Sequence, residues 1–106
     1  MTTPATLRPG LKLHSSTCET ELIVIRAAAT PTALTCGGAA VGTEPVAVTD
    51  RQPVDPGAAS GTLLGKRYVD AAGTLEVLCT RAGAGSLALD GVPLEIKAAK
   101  PLPASD

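Results

Sequence analysis

The segment Thr20 to Ala27, TELIVIRA, is dense in β-branched residues and too short for a helix of ordinary length, so it predicts a strand. Thr74 to Arg81, TLEVLCTR, predicts another. Its Leu75, Val77 and Cys79 alternate with Glu76, Leu78 and Thr80, which places the first three on one face. Downstream, Ala82 to Gly85 (AGAG) marks a turn, Ser86 to Leu89 a short strand, and Asp90-Gly91 a two-residue turn of the hairpin-closing type. Val92 to Ala98 then returns as a further strand, and Pro93 near its start puts it at a sheet edge or makes it begin one residue later. Together these form a three-stranded meander.

The N-terminal half follows the same scheme. Glu21 to Ala27 lies over Glu76 to Ala82, and after turns of unequal length Leu34 falls on Leu87, Gly38 on Gly91 and Val41 on Leu94. This reads as an internal duplication with two residues inserted in the first copy. The expected fold is all-β: two small three-stranded antiparallel meanders packed on one shared core, because neither can bury its apolar face alone. The repeats occupy about 11–42 and 62–98. A Pro-rich crossing linker runs over about 43–61, with Pro45, Pro53, Pro56 and room for a short strand at Pro45 to Val48. Residues 1–10 and 99–106 are polar and Pro-rich and are expected to be mobile arms, able to order on a partner.

Composition narrows the function classes. A chain of 106 residues makes one ordinary domain that buries roughly 65% of its unfolded surface. With no Phe and no Trp, the core must be built from Leu, Ile, Val and Ala, and the single Tyr68 is either a core plug or an interface anchor. A net charge of −1 with interspersed signs, and no aromatic platform, argues against nucleic acid. No apolar run approaches the roughly 20 residues of a membrane span, and the opening MTTPATLRPG does not resemble a secretory leader, so a cytoplasmic location is expected. The odd count of three cysteines, Cys18, Cys36 and Cys79, suits reduced thiols.

The segment His14 to Val41, HSSTCETELIVIRAAATPTALTCGGAAV, resembles desulforedoxin, whose pattern is a Cys pair, a hydrophobic strand, a turn and a Cys-Cys-Gly run. Cys18 stands at the second thiolate of the first pair and Ser15 at its partner. Cys36 stands on one half of the Cys-Cys pair and Thr35 on the other, with Gly37 and Gly38 supplying the turn. The resemblance implies an iron or zinc site, but a tetrahedral thiolate site needs four deprotonated donors, and the hydroxyls of Ser15 and Thr35 stay protonated near neutral pH. A surviving metal site would use Cys18, Cys36 and His14. Cys79 is a fourth donor only in principle, because it lies over Val24 in the repeat and reads as a small buried hydrophobe. In the second copy Gly73 lies near Cys18 and Leu89 falls on Cys36, so that knuckle has no thiols.

Other constellations are weaker. His14 beside Ser15 and Ser16 does not make a nucleophile and base, since neighbours on a strand face opposite ways, and an exposed histidine at a strand start is the plainer reading. Gly83 and Gly85 are followed by a strand rather than the helix a phosphate cradle needs. Glu21 and Glu76, equivalent in the repeat, would form a paired-carboxylate site or serve as solvated edge charges; Arg26 and Arg81 read as surface charges at strand ends. No catalytic set emerges. The first-ranked expectation is therefore a small non-catalytic accessory protein docking on a protein partner, with a homodimer allowed and no cofactor. The alternative is a small metal-binding or redox carrier at the thiols.

Overall fold

The computed structural model describes residues 7–27 and 33–97. These residues are all-β, with nine strands in chain order: β1 (Lys12–His14), β2 (Glu21–Arg26), β3 (Leu34–Cys36), β4 (Ala39–Ala40), β5 (Arg67–Val69), β6 (Glu76–Arg81), β7 (Leu87–Leu89), β8 (Val92–Pro93) and β9 (Glu95–Ile96). The two strands expected from the β-branched runs are the longest, and they pair with each other. One antiparallel sheet has the order β1-β2-β6-β5-β9 and the other β4-β3-β7-β8.

The halves interleave rather than forming separate meanders. β2 pairs with β6 at the centre of one sheet and β3 with β7 at the centre of the other, so each half divides its strands between both sheets. The sheets are joined on both sides. Gly42, just after β4, bridges His14, while β9 continues from β8 with only Leu94 between them. Side chains alternate as the pattern requires: Leu22 and Val24 from β2, and Val77 and Cys79 from β6, turn inward with Leu13, Leu34, Cys36, Tyr68, Leu75, Leu87 and Leu89. Backbone hydrogen bonds recur between the halves. Gly10 donates to Val24 as Gly65 does to Cys79, Val24 to Leu11 as Cys79 to Lys66, and Val41 to Leu34 as Leu94 to Leu87. The turns match as well. Gly37-Gly38 joins β3 to β4 and Asp90-Gly91 joins β7 to β8, both with two positive-φ residues, the condition for a tight turn that follows strand twist.

Several expectations are corrected. The strand placed over Val92 to Ala98 breaks at Leu94 into β8 and β9, one in each sheet, because the chain must cross from one layer to the other; residue 98 lies outside the described residues. Pro45 to Val48 forms no strand, and Val48–Asp50 and Pro56–Ala58 are single 3-10 turns. The crossing segment is pinned to the body, Gln52 donating to the carbonyl of Ser16, Asp55 to that of Gly37, and Ser86 to that of Ala58. Of the N-terminal arm, Leu7 is buried and Gly10 donates to Val24 at 2.7 Å. Residues 1–6 and 99–106 lie outside the described residues. Tyr68 is a core plug, with its hydroxyl accepting from the Leu63 amide at 2.9 Å.

The face assignment of β2 is open to measurement. Leu22→Ala, at a fully buried side chain, is expected to lower unfolding free energy by about 2–5 kcal/mol in urea titration, through lost burial and a residual cavity. Ile25→Ala, on the outward face and 39% exposed, is expected to cost well under half as much. Equal losses would overturn the assignment.

Candidate dithiol site

The tight connection from β1 to β2 runs from Ser15 to Thr20 and is closed by the Ser15 amide donating to the Thr20 carbonyl at 3.0 Å. Ser15 is buried, and its Oγ accepts the amides of Thr17 and Cys18 at 3.1 and 3.2 Å. A serine hydroxyl placed this way organises a turn by taking backbone donors that no strand can use. Thr17 Oγ1 then donates to the carbonyl of Cys36 at 3.0 Å, tying this turn to the end of β3. As a result Cys18 Sγ and Cys36 Sγ stand 3.8 Å apart.

The surroundings of Cys18 favour a thiolate. Its Sγ lies 3.4 Å from Ser15 Oγ and 3.2 Å from Thr20 Oγ1, and it accepts the Gly85 amide at 3.4 Å. Burial works against ionisation here, but hydrogen bonding with the Ser15 and Thr20 side chains and with the Thr20 and Gly85 backbone outweighs it, bringing the thiol down to about 6. Cys36 is fully buried. Burial pushes its thiol up to about 11, against hydrogen bonding from Ser15 and with the Cys18 charge adding to the rise. One ionised and one protonated sulfur in contact is the state that a shared, poorly solvated site selects.

The AGAG loop packs directly over both sulfurs. A side chain at Gly83 would meet Thr20 Oγ1, and its Cβ would come within 2.8 Å of Cys18 Sγ; one at Gly85 would stand 2.8 Å from the Gly37 amide and 3.1 Å from Cys36 Sγ. Glycine is required at both places by close approach, not by a turn or an anion. Thr62 completes the shell, its Oγ1 2.7 Å from that of Thr20 and accepting the Gly83 amide at 3.1 Å. Thr17, Thr62, Gly83 and Gly85 were not legible as site residues, because their contacts join segments far apart in the chain, and Thr20, two residues from Cys18, reads from the sequence only as the start of a strand.

The other candidates are placed as follows. His14, at the end of β1, is half-buried and flanks a depression of about 120 Å³ that also reaches Cys18, Glu21, Arg51 and Arg81. Among the described residues, no group of three or more His, Cys, Asp or Glu side chains is placed to hold a metal, so His14, Cys18 and Cys36 do not assemble as a three-donor site. The sulfur spacing is close to the edge of a tetrahedron with bonds of about 2.3 Å, but the remaining nearby donors are the neutral hydroxyls of Ser15 and Thr20, and this set does not fit a thiolate metal centre. Cys79 is buried, with its thiol donating to the Arg81 carbonyl at 3.2 Å and pushed up by burial. Glu21 and Glu76 face the opposite ends of the β2–β6 pair, so no paired-carboxylate site forms. Glu21 meets Arg81 at 3.4 Å and Lys12 at 3.8 Å, and the buried Glu76 meets Lys97 at 3.0 Å and Arg67 at 3.3 Å. The hydrogen bond from Lys97 leads the causes that hold the Glu76 carboxyl below its usual range. Arg26 donates to the Gly73 carbonyl at 3.5 Å.

No family model matches the chain, and neither a curated protein nor a solved structure matches it.

Iodoacetamide labelling tests the site. In the folded protein Cys18 is expected to alkylate alone, with a half-maximal rate near pH 6 instead of the ordinary thiol range near 8.5. Mass spectrometry of digested protein reads both; a midpoint at or above 8.5 would refute the thiolate assignment. The same shift sets stability. Because the folded value is the lower one, the contribution of Cys18 is present above the unfolded thiol range and is lost as pH falls through about 6. The melting-temperature difference between the parent and Cys18→Ser is accordingly expected to grow from pH 6 to 8.5.

Proposed function

We propose that the protein is a small thiol redox carrier that cycles between a Cys18/Cys36 dithiol and a disulfide. The observation that supports this best is the 3.8 Å contact between the two sulfurs, one poised as thiolate and the other as thiol. A disulfide bond is about 2.05 Å, so closure asks for an approach of about 1.8 Å, within reach of side-chain rotation and a small shift of the Ser15–Thr20 turn.

The chemistry is thiol–disulfide exchange. Cys18 thiolate attacks one sulfur of an acceptor disulfide, the acceptor S–S bond breaks, and the first acceptor thiolate departs, leaving a mixed disulfide on Cys18. That step removes the negative charge beside Cys36, one of the causes holding its thiol up. Cys36 then loses its proton to solvent base and attacks Cys18 Sγ, expelling the second acceptor thiolate. The protein dithiol is oxidised by two electrons and the acceptor disulfide is reduced to two thiols. Since the hydrogen bonds to Cys18 stabilise the reduced form, the couple is expected to be more oxidising than a structural disulfide, with a potential above about −300 mV.

On this reading the desulforedoxin-like segment has kept two thiols and replaced the rest with hydroxyls, which suits a metal-free dithiol in a reducing compartment. The matched hydrogen bonds of the two halves support an internal duplication in which one copy carries the chemistry. The accessory-protein reading ranks second. It is favoured by Leu63 and Leu64, 54% and 67% exposed before β5, which a protein partner would cover.

Incubation of the purified protein with bis(2-hydroxyethyl) disulfide tests the first reading. The parent is expected to lose two hydrogen atoms in mass, Cys36→Ser to stop as a Cys18 adduct, and Cys18→Ser to stay unmodified under native conditions. Reaction of Cys18→Ser at the parental rate would overturn the proposal. So would one equivalent of iron or zinc that copurifies with the parent and is lost in both variants.

A further inference from the structure

The surface beside Cys18 carries a chemical preference. The depression that Cys18 lines is also lined by Arg51, which belongs to the crossing segment. Arg51 is held there by its own amide donating to Val48 at 3.4 Å and by Gln52 donating to Ser16, two residues before Cys18, at 2.9 Å. Its position relative to the sulfur is therefore set by the same turn that presents the sulfur. Arg51 Nε is buried and has no hydrogen-bond acceptor among the described residues, the single side-chain nitrogen or oxygen atom of this kind. Among the described residues no carboxylate pairs with Arg51, so its guanidinium is available to an anion that enters the depression.

The neighbouring charges do not engage it. Glu21 is engaged by Arg81 and Lys12. Glu19 lies at the exposed rim, where solvent screens it. A guanidinium presents a planar fork of donors that matches a carboxylate, and a depression of about 120 Å³ takes a short carboxylate-bearing arm, not a folded partner.

Resting on the dithiol reading, we infer that the acceptor is a small acidic disulfide, with one carboxylate seated on Arg51 while a sulfur of the same molecule meets Cys18 Sγ. The exchange is the one given above: the acidic disulfide is the oxidant and leaves as two thiol-carboxylates, and the protein ends as the Cys18–Cys36 disulfide. Arg51 acts here as a positioning residue.

The experiment uses Cys36→Ser, which stops at the adduct, and three probes: 3,3′-dithiodipropionate (anionic), bis(2-hydroxyethyl) disulfide (neutral) and cystamine (cationic). Each rate of adduct formation at pH 7 is divided by the rate of the same probe with free 2-mercaptoethanol, which removes differences in leaving-group reactivity. The anionic probe is expected to exceed the cationic one by about tenfold, and the advantage to shrink as salt is raised. Adding Arg51→Gln is expected to abolish the preference while leaving the alkylation midpoint of Cys18 in place. Equal normalised rates for the three probes would overturn the Arg51 assignment and leave the dithiol reading standing. Failure of all three to react would overturn both. If Arg51→Gln shifts the alkylation midpoint, the three-probe ranking in the unsubstituted site decides alone.

Discussion

The antiparallel pairing of β2 with β6 organises everything else in the molecule. It joins segments from the two halves of the chain, and its register puts Leu22 opposite Cys79 and Val24 opposite Val77, four buried side chains in one patch. A slip of one residue would turn that patch to solvent and bring Ile23, Leu78 and the charged ends inward. Because the core has a single aromatic side chain, it gains its buried area from many small aliphatic side chains, and it needs the second sheet, centred on β3 and β7, to close over the first. The crossing segment that this pairing requires costs little in closure entropy, since that cost grows slowly with length.

The same pairing sets the electrostatics of the thiols. It brings the Ser15–Thr20 turn under the loop that follows β6, so hydroxyls and amides from both halves converge on Cys18. Ser15, Thr17, Thr20 and Thr62 are buried, and each hydroxyl has a partner. Buried hydroxyls are tolerable on that condition alone, and a network satisfied this fully holds its members in one arrangement. The two sulfurs share one environment yet are driven apart in acidity: Cys18 receives the donors, and Cys36 receives the burial and the neighbouring charge.

The second half has the same turn without the chemistry. Asp70 donates its amide to the Leu75 carbonyl as Ser15 does to that of Thr20, but its carboxylate takes the Thr74 hydroxyl at 2.6 Å and the Leu75 amide at 2.9 Å. Burial opposes its charge, and those hydrogen bonds hold it below the usual carboxylate range. Gly73 and Leu89 leave that side without sulfur. One frame thus carries a thiol-bearing turn at one end and a carboxylate-capped turn at the other.

What the residues determined by themselves was local. The β-branched run of β2, the alternation in β6 and the Asp90-Gly91 turn each follow from sterics within a few neighbours, and the spacing from Ser15 to Cys18 and the Cys36-Gly37-Gly38 turn marked the thiols as a candidate site. Three-residue strands such as β1 and β5 left no periodic signal, and the break between β8 and β9 has no cause until there are two layers to cross. The tertiary structure decided the sulfur contact, the exclusion of His14 from it, the glycine requirement at Gly83 and Gly85, and the unpartnered Arg51 Nε. Gly85 reaches Cys18 across 67 residues of sequence. Contacts at such separation depend on which strand pairs with which and in what register, and that is set by the whole core, not by any segment in it.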